Sequence, residues 1–208
     1  MLSGLYAVTP DLDDTTELLR RVGQALQGGL RLLQYRNKPA AAALRREQAG
    51  ALLALCRAQG VPLVINDDLQ LALEIGADGA HLGREDGDLA AARAALGPGK
   101  LLGISCYDDI GRAREAKRVG ADYVAFGSFF ASPTKPAAVR APLTLLGAAK
   151  AGLGLPVCAI GGITLQNAPQ LIAAGADLLA VITDLFEAPD IRARAAAYTS
   201  LFSERVTP

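Results

Sequence analysis

One histidine, His81, and three cysteines are all that the 208 residues hold of those two types. With a lone histidine, no Ser–His–Asp or Cys–His arrangement can be assembled at useful spacing, so nucleophilic catalysis and a histidine base are not expected. Cys56, Cys106 and Cys158 are odd in number, widely separated and free of metal-type pairing, which argues against a disulfide framework or a zinc site and fits a reducing compartment. Net charge is also lacking. Lys plus Arg and Asp plus Glu each number 21, so the global balance predicts neither a nucleic-acid partner nor a membrane surface. No apolar run approaches the roughly 20 residues that cross a bilayer. Met1-Leu2-Ser3-Gly4 passes at once into the strand-like Leu5-Tyr6-Ala7-Val8. A cytosolic protein is the expectation.

Apolar residues make up 51% of the chain, enough for one core, and residues 1–208 are read as a single domain. Eight short apolar runs alternate with amphipathic stretches: Leu5–Val8, Leu32–Tyr35, Leu63–Ile65, Gly79–Leu82, Leu101–Ser105, Tyr123–Phe126, Val157–Ile160 and Leu178–Ile182. Between them the spacing turns helical, as in Leu18, Val22, Ala25 and Leu26, or Ile191, Ala195, Tyr198 and Phe202. Gly76-Ala77-Asp78, Gly120-Ala121-Asp122 and Gly175-Ala176-Asp177 each stand between a helical stretch and a strand, where glycine can take the left-handed conformation that ends a helix. An open doubly wound sheet could carry such repeats too, but eight strands favour closure into a (β/α)8 TIM barrel, an α/β fold. Chemistry then belongs on the loops that follow the strands. The connection Ser128 to Ala141 is long enough to suggest a functional loop or lid.

After the second run, Gln34-Tyr35-Arg36-Asn37-Lys38 brings two cations and an amide to one side by alternation, at Gln34, Arg36 and Lys38. An Arg fork and a Lys point charge suit a diphosphate, although a solvated strand end gives the same pattern. Asp67 follows the third run and Asp86 the fourth. Neighbouring strands lie about 4.8 Å apart, so the two carboxylates can share one hard cation such as magnesium, or each can serve its own cap. Asp68 reads as the N-cap of the helix starting at Leu69, and Thr164 as the cap of the helix after Ile160-Gly161-Gly162-Ile163. The glycine pair can admit a phosphate between the seventh and eighth loops, near Ile182 and Thr183, or can serve a tight turn. His81, flanked by Ala80 and Leu82, reads as structural, and Cys106 as a buried thiol.

In order along the chain, seven stretches resemble the thiamine-phosphate synthase family from about Leu5 to Phe186: Gln34 to Lys38, Ile65-Asn66-Asp67-Asp68, Gly76 to Gly83 with Glu85-Asp86, Gly103-Ile104-Ser105, Gly120 to Val124, Pro133-Thr134-Lys135, and Ile160 to Thr164. That family joins a hydroxymethylpyrimidine diphosphate to a thiazole phosphate and releases pyrophosphate. The resemblance implies that Gln34, Tyr35, Arg36, Asn37, Lys38, Asn66, Ser105 and Lys135 hold the pyrimidine diphosphate, with Arg36, Lys38, Lys135 and Ser105 acting in catalysis. It implies Ser132, Pro133, Thr134, Gly162, Ile182 and Thr183 for the thiazole phosphate, and Asp67 and Asp86 for Mg²⁺. The implied partners are small phosphorylated molecules; homo-oligomerisation stays open. Arg84, where the family often has glutamine, Thr183 for a usual serine, Tyr107 for a common histidine and Ser132 for a common threonine depart from the pattern. A thiazole tautomerase relative typically has a histidine after the glycine that ends the sixth strand, where this chain has Gly127-Ser128. The other alternative is a catalytically silent barrel that binds thiamine precursors.

Overall fold

A computed structural model describes residues 2–131 and 140–203. Its strands are β1 (Gly4–Val8), β2 (Leu32–Tyr35), β3 (Leu63–Asn66), β4 (Gly79–Leu82), β5 (Leu101–Tyr107), β6 (Tyr123–Phe126), β7 (Val157–Ile160) and β8 (Leu178–Val181). They pair in parallel in sequence order, and β8 returns to β1 with Gly4 opposite Leu178 and Ala7 opposite Val181. The sheet is a closed barrel. Around it lie α1 (Thr15–Gln27), α2 (Ala42–Ala58), α3 (Leu69–Ile75), α4 (Leu89–Leu96), α5 (Ile110–Arg118), α6 (Thr144–Leu153), α7 (Ala168–Ala173), α8 (Thr183–Phe186) and α9 (Ile191–Ser203). No helix among the described residues is long and apolar enough to span a membrane.

Strands covered on both faces need apolar residues at successive positions, and the core accordingly has two parts. Outward side chains such as Leu33, Ile65 and Val124 pack with the helices, while Leu32, Val64, Cys158, Leu178 and Ala180 fill the barrel. All three thiols are buried, and burial pushes those of Cys56 and Cys106 up to about 12, which keeps them protonated and unreactive at neutral pH. Asp68 caps α3 as read from the sequence, its Oδ1 accepting from Leu71 N–H at 2.9 Å. Thr164 does not cap α7. The helix begins at Ala168, and the Asn167 side chain closes the turn instead, accepting from Thr164 N–H and donating to Gly162 O, both at 2.9 Å.

The repeated tripeptide has a second use that its glycine does not announce. Gly76, Gly120 and Gly175 all have positive φ, as a helix exit requires. The aspartate of each repeat then reaches sideways to the start of the preceding strand: Asp78 accepts from Leu63 N–H at 2.9 Å, Asp122 from Leu102 N–H at 2.7 Å and Asp177 from Val157 N–H at 3.0 Å. Cations complete two of these braces, Arg93 on Asp122 at 3.0 Å and Lys150 on Asp177 at 2.6 Å. This end of the barrel is built for stability and lies opposite the strand termini that carry chemistry. Asp177→Ala strands the buried Val157 N–H and should cost about 2–3 kcal/mol in urea unfolding. A loss below about 0.5 kcal/mol would mean that the brace contributes little.

Candidate active site

Alternation in the barrel decides which side chains reach its open end. Gln34, Asn66, His81 and Ser105 occupy inward positions near the C-terminal ends of β2, β3, β4 and β5. Gln34, His81 and Ser105 belong to a continuous line of polar contacts that crosses the interior. Gln34 Nε2 donates to Tyr6 Oη at 2.5 Å, Tyr6 Oη meets Tyr123 Oη at 2.8 Å, Tyr123 Oη meets His81 Nδ1 at 3.0 Å, and His81 Nε2 meets Ser105 Oγ at 2.9 Å. The Tyr123 ring stacks on the imidazole with centroids 5.5 Å apart and meets Tyr6 edge-on at 5.7 Å. Burial raises both tyrosine hydroxyls far above their ordinary range, so they act only as neutral donors and acceptors. The result is an aromatic, hydrogen-bonding floor.

The rim is charged. Lys38 Nζ lies 3.0 Å from Asp67 Oδ2, and Arg36 Nη1 donates to both oxygens of Asp11 at 2.9 Å. Asp67 stands in the left-handed region with φ of 59°, which turns its side chain toward Asp86 at the end of the next strand. Burial opposes ionisation of Asp67, but its contacts with Asp86 and Lys38 outweigh it and hold the carboxyl below its usual range. Burial and the neighbouring Asp67 instead raise Asp86, whose Oδ2 also accepts from Gly83 N–H at 2.6 Å. Two carboxylates that titrate against each other beside one lysine form a pocket of negative charge. From α5, Arg112 donates to Ser105 O at 2.8 Å and Gly83 O at 2.7 Å, tying the ends of β4 and β5 together beneath this pair.

Two residues of the 34–38 block also bond to α2 and to the loop after β1. Tyr35 and Asn37 point outward: Tyr35 Oη donates to Gln48 Oε1 on α2 at 2.9 Å, and Asn37 Nδ2 donates to the same atom at 3.0 Å and to Leu12 O at 2.8 Å. Both residues nevertheless line one cavity with Lys38, Asn66 and Asp67.

Across the barrel, Gly161 and Gly162 have positive φ, and a Cβ on either would fall within 2.2 Å of Ser128 or Ala131 atoms. The glycine pair therefore admits the loop after β6 against the end of β7. Ile182 forms the N-cap of α8, whose first residue is Thr183. Asp184 is held aside by Arg194 and by Tyr198 Oη, each at 2.7 Å. Gly162, Ile182 and Thr183 thus border the mouth at the ends of β7 and β8. Ser132, Pro133, Thr134 and Lys135, with most of the loop proposed as a lid, lie outside the described residues.

A model of the thiamine monophosphate synthase family matches residues 5–185. The chain belongs to the thiamine-phosphate synthase family. Thiamine-phosphate synthases of Aromatoleum aromaticum and an Azoarcus species are 60% and 58% identical to it, the first covering 97% of both chains and the second 97% of this chain and 98% of its own. The solved thiamine phosphate pyrophosphorylase of Pyrococcus furiosus superposes with a TM-score of 0.84 at 31% identity, over 98% of this chain and 97% of its own. A 3-hexulose-6-phosphate synthase at 20% identity and TM-score 0.71 shares the fold. The sequence reading made no site candidates of Tyr6, Tyr123 and His81, which the structure joins in one line of contacts inside the barrel. The signal available was their inward register: Tyr6 is one alternation step below Gln34, and His81 and Tyr123 are one step below Ser105.

Proposed function

We infer that this barrel joins a hydroxymethylpyrimidine diphosphate to a thiazole phosphate, giving thiamine phosphate and pyrophosphate, and that the rim and floor described above perform the two halves of the task. The observation that carries the assignment is the cluster of Lys38, Asp67 and Asp86, with Arg36 held by Asp11 two residues before Lys38, at the strand ends of a barrel whose interior carries the Tyr6–Tyr123–His81 line. An aromatic, hydrogen-bonding floor suits a flat aminopyrimidine, and the charged rim suits its diphosphate.

Two carboxylates on neighbouring strands match the donor set of Mg²⁺, which takes one or two carboxylates and fills its octahedron with water and phosphate. When bound, Mg²⁺ supplies Lewis-acid neutralisation of the departing pyrophosphate. The chain's own residues do the rest. Arg36 and Lys38 bind the phosphates, and their fixed charges stabilise the negative charge that builds as the C–O bond breaks. Lys135 adds a further cation from the loop after β6. The floor holds the pyrimidine while the exocyclic carbon becomes cationic, and Ser105 orients that ring at its edge. Gly162, Ile182 and Thr183, with Ser132, Pro133 and Thr134, hold the thiazole phosphate so that the ring nitrogen attacks the vacated carbon. Carbon loses oxygen and gains nitrogen, and no protein nucleophile or base intervenes. A cytoplasmic setting is supported by three buried thiols without a disulfide.

Pyrophosphate release by the purified protein tests the assignment. Release is expected only with both substrates and Mg²⁺ present. Release without the thiazole phosphate at the same rate, or none with all components, would overturn it, and the second result with thiazole phosphate still bound would leave a silent precursor-binding barrel.

A further inference from the structure

Arg36 is held in an unusual way. A carboxylate that pairs with arginine commonly engages two nitrogens of the fork, but both oxygens of Asp11 take the single nitrogen Nη1, each at 2.9 Å. Among the described residues, Nε and Nη2 of Arg36 have no partner, although the side chain is only 14% exposed. The backbone is fixed as well. Thr9 N–H donates to Gln34 O at 2.9 Å, continuing the pairing of β1 with β2, and Thr9 Oγ1 accepts from Arg36 N–H and donates to Arg36 O, both at 2.8 Å. Asp11 Oδ1 also accepts from Lys38 N–H at 3.1 Å. One carboxylate on the loop after β1 therefore touches the segments that carry both rim cations.

We propose that Asp11 is a positioning residue for the diphosphate: by occupying Nη1 alone it fixes the Arg36 guanidinium with its Nε/Nη2 edge open to a phosphate, and it holds the loop that presents Lys38. The proposal rests on the function inferred above. Its physical content is preorganisation. A free arginine loses rotamer freedom on gripping an anion, whereas one already fixed loses little. Asp11 also brings negative charge near the anion, so electrostatic repulsion alone predicts the opposite sign, with removal of the carboxylate tightening the complex. The two accounts separate in one experiment.

Asp11→Asn is nearly isosteric, and its Oδ1 can still accept from Lys38 N–H, so the loop stays anchored while the hold on Nη1 is weakened: the ionic charge is lost and the Oδ2 acceptor becomes an amide N–H that opposes the guanidinium. Calorimetric titration with pyrophosphate in Mg²⁺ should show D11N binding about tenfold more weakly than wild type. KM for the pyrimidine diphosphate should rise by a similar factor with kcat changed less, and thiazole phosphate affinity should be unchanged. Because Asp11 acts through Arg36, D11N added to Arg36→Gln should weaken binding no further. Pyrophosphate binding by D11N equal to or tighter than wild type, or full additivity with R36Q, would overturn the proposal. Should D11N fail to fold, Arg36→Lys, which keeps the charge and loses the fork, must lose pyrophosphate affinity comparably; wild-type affinity in that variant would also overturn it. Failure of the underlying function looks different: wild type itself would bind no pyrophosphate, or R36Q would bind it undiminished.

Discussion

Asp67→Asn is expected to lower kcat/KM for pyrophosphate release by at least about a hundredfold, with the loss only partly recovered by raising Mg²⁺. Asparagine is the informative replacement because Asp67 has φ of 59°, a conformation that Asn tolerates and Ala does not, so the backbone survives and only the charge changes. With the charge gone, Lys38 loses the carboxylate 3.0 Å away and Asp86 loses the carboxylate it titrates against. A divalent cation then has half its protein charge. Direct binding gives a second reading that needs no turnover: Mn²⁺ titrated against the protein should bind D67N at least about tenfold more weakly than wild type. Near-normal turnover in D67N would remove the metal from these two carboxylates and would leave Arg36 and Lys38 to neutralise the leaving group unaided.

The Lys38–Asp67 contact, like the Arg36–Asp11 pair, was invisible in the sequence for a simple reason. Ion pairs across loops depend on where two strand ends stand in space, and no spacing along the chain encodes that. What the sequence did carry was periodic. Continuous apolar runs marked all eight strands, and the observed bounds differ from them by two residues at most. The largest difference, at β5, comes from a register shift between Ser105 and Tyr107 opposite β6 that carries the strand past its apolar stretch. Alternation set Gln34, Arg36 and Lys38 apart from their neighbours, whereas the resemblance took Tyr35 and Asn37 with them, and the contacts of those two with Gln48 on α2 are long-range pairings that no spacing encodes. His81, Tyr6 and Tyr123 are buried, and in a barrel the inside is both core and site, so the sequence alone does not separate the two roles. A buried ring at the bottom of an inward row packs; the same ring one layer higher becomes a floor. Recognising Thr164 as a cap failed for a different reason, since three turn residues intervene before α7 and the Asn167 side chain takes over the hydrogen bonds.

That floor depends on a position with no side chain, and Gly103→Ala should damage both stability and catalysis. Gly103 lies mid-way along β5, facing the interior without a positive φ, so backbone conformation gives no reason for glycine. Propensity would even favour alanine. Packing reverses that preference: a Cβ there would sit 2.1 Å from Tyr123 Cζ and 2.6 Å from His81 Nδ1. Neither ring can yield easily, because each is stacked on the other and tied at both ends of a hydrogen-bonded line that runs from Gln34 to Ser105. Overpacking of this kind costs about 2–3 kcal/mol, which for a chain of this size lowers Tm by roughly 5–10 °C. Gly50→Ala on α2 is the matched control, since a Cβ there meets nothing within 4 Å and the helix should gain about 0.5–1 kcal/mol. In G103A, moving Tyr123 breaks its contacts with Tyr6 and His81 together, so KM for the pyrimidine diphosphate should rise while thiazole phosphate binding, at the ends of β7 and β8, is kept. Loss of both affinities in parallel would mean that the barrel as a whole had loosened, and that the line of side chains beneath the rim is packing rather than a floor for the pyrimidine.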